Sequence, residues 1–258
     1  MDKHLILSET VDQIAILTLN HPEKRNALSQ AMLAQLLEHF KSIAVAQNVR
    51  VVILRAAGPA FSAGHDLREL VGGNEAQYQE LFALCTEVME AIRKLPQPVI
   101  AQVHGVATAA GCQLAATCDL VVAAEDASFA TPGVKIGLFC STPAVALARA
   151  VPPKKAMEML LTGNLISARE AERIGLVSRV VPSNQLAEET MNLARQISTA
   201  SSYTIALGKR TFYEQLHLGR PEAYEVACRA MVENAQAADA EEGVRAFLEK
   251  RPPKWSGR

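Results

Sequence analysis

The alternation of apolar and polar positions predicts strands and helices in turn along the front of the chain. Ile14-Ala15-Ile16-Leu17-Thr18-Leu19 is a short β-prone run closed by the turn residues Asn20-His21-Pro22. Ser29 stands where a helix N-cap belongs, and Met32, Leu33, Leu36, Leu37, Phe40 and Ile43 follow at helical spacing on one face. Val51 to Leu54 reads as a buried strand running into the loop Gly58 to Asp66. Tyr78, Leu81, Phe82, Cys85, Val88, Met89 and Ile92 mark a second helix, which Pro96 and Pro98 stop before a strand over Val99 to Val103. His104-Gly105 turns the chain into small residues, from which a short helix carrying Leu114 and Ala115 should start, followed by a strand over Leu120 to Ala123.

Beyond that point the pattern becomes helical. Ser167-Ala168-Arg169-Glu170 fits a capping box, Gly175 is placed to end that helix, and Leu176 to Val181 reads as a last strand. From Gln185 to Arg251 nearly everything is helix-compatible, with breaks at Ser201-Ser202 and Gly219-Arg220-Pro221. Asp239 followed by Glu242 predicts a capped helix running to Pro252. Strands alternating with helices, then helices alone, make an α/β front with a helical C-terminal part.

Composition narrows the classes. The 258 residues can bury a sizeable core, and 49% hydrophobic with 21% charged residues describes a globule. A formal net charge of −1 argues against a nucleic-acid or anionic-membrane surface. No apolar run reaches the roughly 20 residues needed to cross a bilayer. Cys85, Cys112, Cys118, Cys140 and Cys228 form no CxxC pair and lack metal-ligand spacing, so they predict thiols of a reducing compartment and no metal site. The start, Met1-Asp2-Lys3-His4, is not leader-like, and a cytoplasmic location is expected.

Two loops carry the candidate chemistry. An oxyanion needs two main-chain N–H groups converging on one point, and a helix N-terminus supplies such donors. Ala109-Ala110-Gly111 fits one arm and Ala63-Gly64-His65 the other, though close helix-on-sheet packing accounts equally well for either alone. The run from Gly105 to Gly111 lacks G-x-G-x-x-G spacing, which disfavours a dinucleotide fold.

Taken together and in order, the motifs resemble the enoyl-CoA hydratase/isomerase (crotonase) family. They are Arg25-Asn26-Ala27-Leu28-Ser29, Phe61 to Leu67, His104 to Ala115 and Cys118-Asp119-Leu120. Phe129-Ala130-Thr131-Pro132, Ile136-Gly137-Leu138, Ala156 to Gly163, Ala168 to Ala171 and Phe247 to Arg251 continue the likeness. Three segments, Gly64 to Leu67, Ala109 to Gln113 and Gly137 to Pro143, resemble one subgroup more narrowly. The resemblance implies a crotonase-like spiral of repeated ββα units over 1–198, and a helical C-terminal trimerisation region over 199–258. It also implies a homotrimer or dimer of trimers acting on an acyl-CoA ester of fatty-acid metabolism. Coenzyme A is then part of the substrate, and no separate cofactor is expected. The main-chain N–H groups of His65 and Ala110 fall at the oxyanion-hole positions. Lys24, Arg25, Ala27, Ala63, Asp66, Leu67 and Arg68 fall in or beside the coenzyme A-binding segments. Phe247 and Lys250 match a helix that closes over the nucleotide, often from a neighbouring subunit.

The chain departs from the family at the proton-transfer groups. Where the resemblance places two glutamates, this sequence has Gln113 and Gly133. Glutamine can only hydrogen-bond and glycine has no side chain, so neither takes a proton. Each such group contributes on the order of 10²–10⁴-fold, so ordinary hydration should be largely lost while a main-chain oxyanion hole survives. His65 is a titratable replacement if its ring faces the thioester, and a structural residue if it points away. Asp66 is expected to cap the following turn, and Asp119 to make a structural hydrogen bond. Cys140 has no base nearby and reads as pocket lining, with Cys112 and Cys118 as packing residues. Phe139 and Met159 read as core or pocket residues. Arg68 and Lys250 are either phosphate contacts or solvated surface charges. A non-catalytic acyl-CoA-binding protein, and a different thioester reaction such as hydrolysis or decarboxylation, stand beside the hydratase reading.

Overall fold

The computed structural model describes residues 4–258; Met1 to Lys3, on which the leader expectation partly rests, lie outside the described residues. Strands β1 (Ile6–Val11) and β2 (Ile14–Leu19) form an antiparallel hairpin. Its two-residue turn, Asp12-Gln13, holds φ at 51° and 64°, the left-handed pair that matches the twist of the flanking strands. Helix α1 (Gln30–Ala44) follows, capped by Ser29, whose Oγ accepts from the Met32 N–H at 3.3 Å. All six apolar positions expected on its inner face are buried.

Strands β3 (Val51–Ala56), β4 (Val99–Val103), β6 (Leu120–Ala124) and β9 (Arg179–Val181) continue the sheet in parallel from β2. The six-stranded order is β1-β2-β3-β4-β6-β9. Central strands buried on both faces explain the unbroken apolar runs read along them. A second sheet holds β5 (Val106–Thr108), β7 (Ser128–Ala130) and β8 (Ile166–Ser167) in the order β5-β7-β8. These strands of two or three residues leave too short an alternation to be read in sequence. The last strand is likewise shorter than expected, because Leu176 and Val177 are spent on turn hydrogen bonds to the Ala171 carbonyl.

Helix α2 (Glu75–Lys94) opens on the capping box of Asn74 and Gln77, which pattern reading passed over. At α6 (Ala168–Arg173) only half of the expected box forms. Ser167 Oγ accepts from the Glu170 N–H, while the Glu170 carboxylate turns to Arg173. Helices α3 (Ala110–Thr117), α4 (Ser141–Ala150), α5 (Pro153–Thr162) and α7 (Leu186–Ser198) complete the front of the chain. Phe40, Phe61 and Phe129 lie at its fully buried centre.

Helices α8 (Ser202–Gln215), α9 (Arg220–Ala235) and α10 (Ala238–Leu248) break where expected. Asp239 is not a cap, and α10 stops at Leu248 rather than Pro252. The Asp239 carboxylate is buried and accepts from the Ser201 hydroxyl at 2.6 Å and from the Ser256 and Gly257 N–H groups at 2.6 and 3.0 Å. With the Ser256 hydroxyl at 2.8 Å as well, four donors from two separate segments are satisfied there, which is more than one cap bond gives. Asp119 has the expected structural role, on a larger scale. It accepts from the Val99 N–H, the buried Lys209 ammonium and the Tyr213 hydroxyl, each at 2.7 Å, and so fastens α8 to the sheet.

Candidate functional site

The site begins with a buried asparagine. Asn26 is fully buried with φ at 52°, a left-handed conformation that asparagine tolerates better than most residues. Its amide donates to the Ala57 and Ala60 carbonyls, both at 2.8 Å, and its Oδ1 accepts from the His21 N–H at 2.8 Å. The buried Ser62 hydroxyl donates to the Asn26 carbonyl at 2.9 Å and accepts from the Gly64 N–H at 3.2 Å. Ala63 N–H donates to the Arg25 carbonyl at 3.0 Å and Leu28 N–H to the Gly64 carbonyl at 2.7 Å. The segments around Arg25 and Gly64 are thus one clasped unit. Sequence reading quoted Asn26 and Ser62 without giving them a role; the polar pair inside otherwise apolar motifs was the available signal.

The second arm meets the first directly. Gly111 packs so closely on Ser62 that a Cβ there would lie 2.7 Å from Ser62 Cβ. A Cβ on Gly64 would lie 2.8 Å from Ala109 Cβ and 3.2 Å from Ala110 N. Glycine at both positions is therefore what lets the loop and the helix start touch. Ala109 is held at φ 51°, ψ −121°, a strained backbone for alanine, with its N–H donating to the Ala130 carbonyl at 2.9 Å. Ala110 follows as the first residue of α3, where N–H groups have no partner within the helix. Among the described residues, neither the His65 nor the Ala110 main-chain N–H donates to a protein acceptor.

The His65 ring is turned into the protein. Its Nδ1 lies 3.1 Å from the Leu28 carbonyl, which can only accept, so Nδ1 carries the proton. The ring stands edge-on to Phe82 at 5.7 Å, and Nε2 is buried without a partner. Burial lowers its pKa from the usual value against the opposing Leu28 bond, so the neutral form prevails at neutral pH. Asp66 does cap the short turn Leu67–Leu70, accepting from the Arg68 N–H at 3.1 Å. It also gathers the Lys24 ammonium and the Arg68 guanidinium, each at 3.5 Å. Burial pushes its carboxyl up, but the Arg68 N–H and the two cations outweigh this and hold it below the ordinary value. Arg25, Ala63 and Leu67 are exposed around this cation pair, while Ala27 is buried.

The two positions where the resemblance places glutamates differ in kind. Gln113, within the wholly buried α3, has its Oε1 unpartnered. Gly133 has no room at all: a Cβ would clash with the Leu138 carbonyl and lie 2.8 Å from Cys140 Sγ. The space a side chain at 133 would take is filled by the buried Cys140 thiol. Burial raises the Cys140 thiol, and burial raises Cys112 to about 12, which leaves both protonated and unreactive at neutral pH. Met159 is core, but Phe139 is 48% exposed and does not line the interior. Phe247 is 84% exposed at the end of α10, and Lys250 is exposed beyond it; this chain does not seat either against the two loops. Among the described residues no cluster of three or more metal-binding side chains occurs, and no helix is long and apolar enough to cross a membrane.

Residues 9–258 match the enoyl-CoA hydratase/isomerase family model, and the chain belongs to that family. Its α/β architecture is the crotonase fold. A crystal structure of human enoyl coenzyme A hydratase domain-containing protein 3 superposes with a TM-score of 0.95 at 50% identity, covering 97% of this chain and 100% of that one. An enoyl-CoA hydratase from Mycobacterium smegmatis gives 0.95 at 49% identity, covering 97% and 98%. Among curated proteins, the mitochondrial enoyl-CoA hydratase domain-containing protein 3 of Rattus norvegicus is 52% identical over 95% of this chain and 82% of its own length. The narrower likeness read in the three segments is to this subgroup. That relative's name places it in mitochondria, which lends no support to the cytoplasmic expectation.

Proposed function

We propose that this chain binds an acyl-CoA ester and polarises its thioester carbonyl between the His65 and Ala110 main-chain N–H groups. The observation that carries this reading is the close contact of Gly64 with Ala109 and Ala110, which seats the loop before His65 against the start of α3 while the His65 and Ala110 main-chain N–H groups have no protein acceptor among the described residues. Each such donor is worth roughly 3 kcal/mol to a developing oxyanion. Lys24 and Arg68, drawn together by Asp66, offer positive charge to the phosphates of coenzyme A, with Arg25, Ala27, Ala63 and Leu67 shaping the same rim. The apolar surface of Phe247 and Leu248 suits burial by another copy, as in a trimer in which Lys250 reaches a neighbour's nucleotide. No cofactor beyond the coenzyme A of the substrate is invoked.

Hydration of a 2-enoyl thioester requires a water proton to leave as the oxygen attacks C3, and a proton to arrive at C2. Gln113 can orient a water but accepts no proton, and Gly133 offers nothing. With Nδ1–H bonded to Leu28, the basic lone pair of His65 lies on Nε2, which is buried within the protein, so it does not substitute. The occupation of the second position by Cys140 favours binding without hydration, or a thioester reaction that needs the oxyanion hole alone. The test is incubation with a panel of enoyl-CoA and acyl-CoA esters followed by mass spectrometry. Retention of the esters with no gain of water is the expected result. Water addition to any 2-enoyl-CoA would overturn the chemical part, and failure to retain any ester would overturn the binding itself.

A further inference from the structure

A cavity of about 1160 Å³ lies between α2, α3, α4 and α8. That is ample for a small-molecule ligand. Gln113 forms part of its wall, and the orphaned Gln113 Oε1 is a buried acceptor awaiting a donor. Gln113 sits three residues beyond Ala110 in α3, roughly 4.5 Å along the helix axis. Gln113 thus links this wall to the helix whose first residue is Ala110.

The basic side chains of the wall are not equivalent. Arg210 is paired with Glu233 and Lys94 with Glu90. Arg93 is half-buried, with its guanidinium 4.2 Å from the centre of the Tyr213 ring, and it makes no ion pair or hydrogen bond among the described residues. Four carboxylates line the wall: Glu90 and Glu233 are in the ion pairs just named, Asp119 is saturated by Lys209, Tyr213 and the Val99 N–H, and Glu214 makes no ion pair with Arg93 among the described residues. Five guanidinium donors without an acceptor in a partly desolvated wall favour an incoming anion. Arg149, exposed on α4 in the same wall, donates only to the Val145 carbonyl of its own helix and has no carboxylate partner either. Met89, Ala116, Ala146 and Leu207 supply apolar lining.

We infer that this cavity takes an acyl chain carrying a second carboxylate at its far end, received by Arg93 with Arg149 in support. The substrate class is thus the coenzyme A thioester of a dicarboxylic acid. The inference rests on the acyl-CoA reading above. A plain fatty acyl group would fill the apolar part and leave the Arg93 donors unmatched.

Calorimetric titration of the full chain with adipyl-CoA and suberyl-CoA, against hexanoyl-CoA, octanoyl-CoA and free coenzyme A, tests it. The diacid esters are expected to bind roughly ten- to a hundredfold more tightly than the monoacid esters of the same length. Arg93→Met should abolish that preference while leaving the monoacid esters unaffected, and Arg93→Lys should restore part of it. Equal affinity of diacid and monoacid esters for the unaltered chain overturns the inference and leaves acyl-CoA binding standing. So does a preference that survives in a folded Arg93→Met variant. If no ester binds at all, the underlying acyl-CoA reading falls first.

Discussion

Single side chains decide the chemistry here, and they do so by space as much as by charge. At position 133 the Cys140 thiol and the Leu138 carbonyl leave no room for a Cβ. Gly133→Ala is expected to cost about 1–3 kcal/mol through overpacking, read as a lower denaturant midpoint. Restoring both carboxylates with Gln113→Glu and Gly133→Glu should therefore yield no hydratase; a double variant that folds normally and hydrates a 2-enoyl-CoA would refute this steric account. His65 makes a pH prediction. Its native pKa lies below the usual histidine value because burial disfavours the charged ring. The unfolded chain then binds the extra proton first, so the His65 contribution to stability is complete above about pH 6.5 and declines as pH falls through the window below it. Chemical denaturation between pH 7.5 and 5 should show a decline that is smaller in His65→Gln; an unchanged profile would argue against it. That positions 113 and 133 carry no ionisable group was legible in the sequence. The orientation of His65 was not, since its partner Leu28 lies 37 residues away.

Elements are held to one another by a few polar knots, and these were the least legible part of the chain. Amphipathic spacing announced α1 and α2, because burying one face leaves a periodic trace, and turn residues marked the breaks between the C-terminal helices. No comparable trace marks β5, β7 and β8, whose two or three residues span barely one alternation. Nor does periodicity say that Lys209 of α8 is buried against Asp119. Removing one member of a buried charge pair strands the other, so Asp119→Asn or Lys209→Met should cost about 3–5 kcal/mol. Hydrogen exchange should then rise first along α8; uniform loss of protection, with α8 no faster than the sheet, would contradict its role as a fastener. Asn26 joins the two parts of the first loop in the same way. Asn26→Ala strands the His21 N–H and two carbonyls, and a fall in stability of about 2 kcal/mol or more is expected from thermal melts.

At the level of the whole molecule, a spiral sheet delivers two loops that are separated by some forty residues in sequence to a shared glycine contact. That convergence is built from main-chain groups and is indifferent to which side chains do chemistry nearby. Such a scaffold keeps its main-chain donors whatever side chains stand at positions 113 and 133. The filled slot behind Gly133 then acts as a lock. With the thiol of Cys140 in that volume, a single substitution at 133 cannot place a carboxylate there, because the sulfur must leave first. Installing one would take paired changes, the first of which, at Cys140, opens a cavity and brings no proton acceptor.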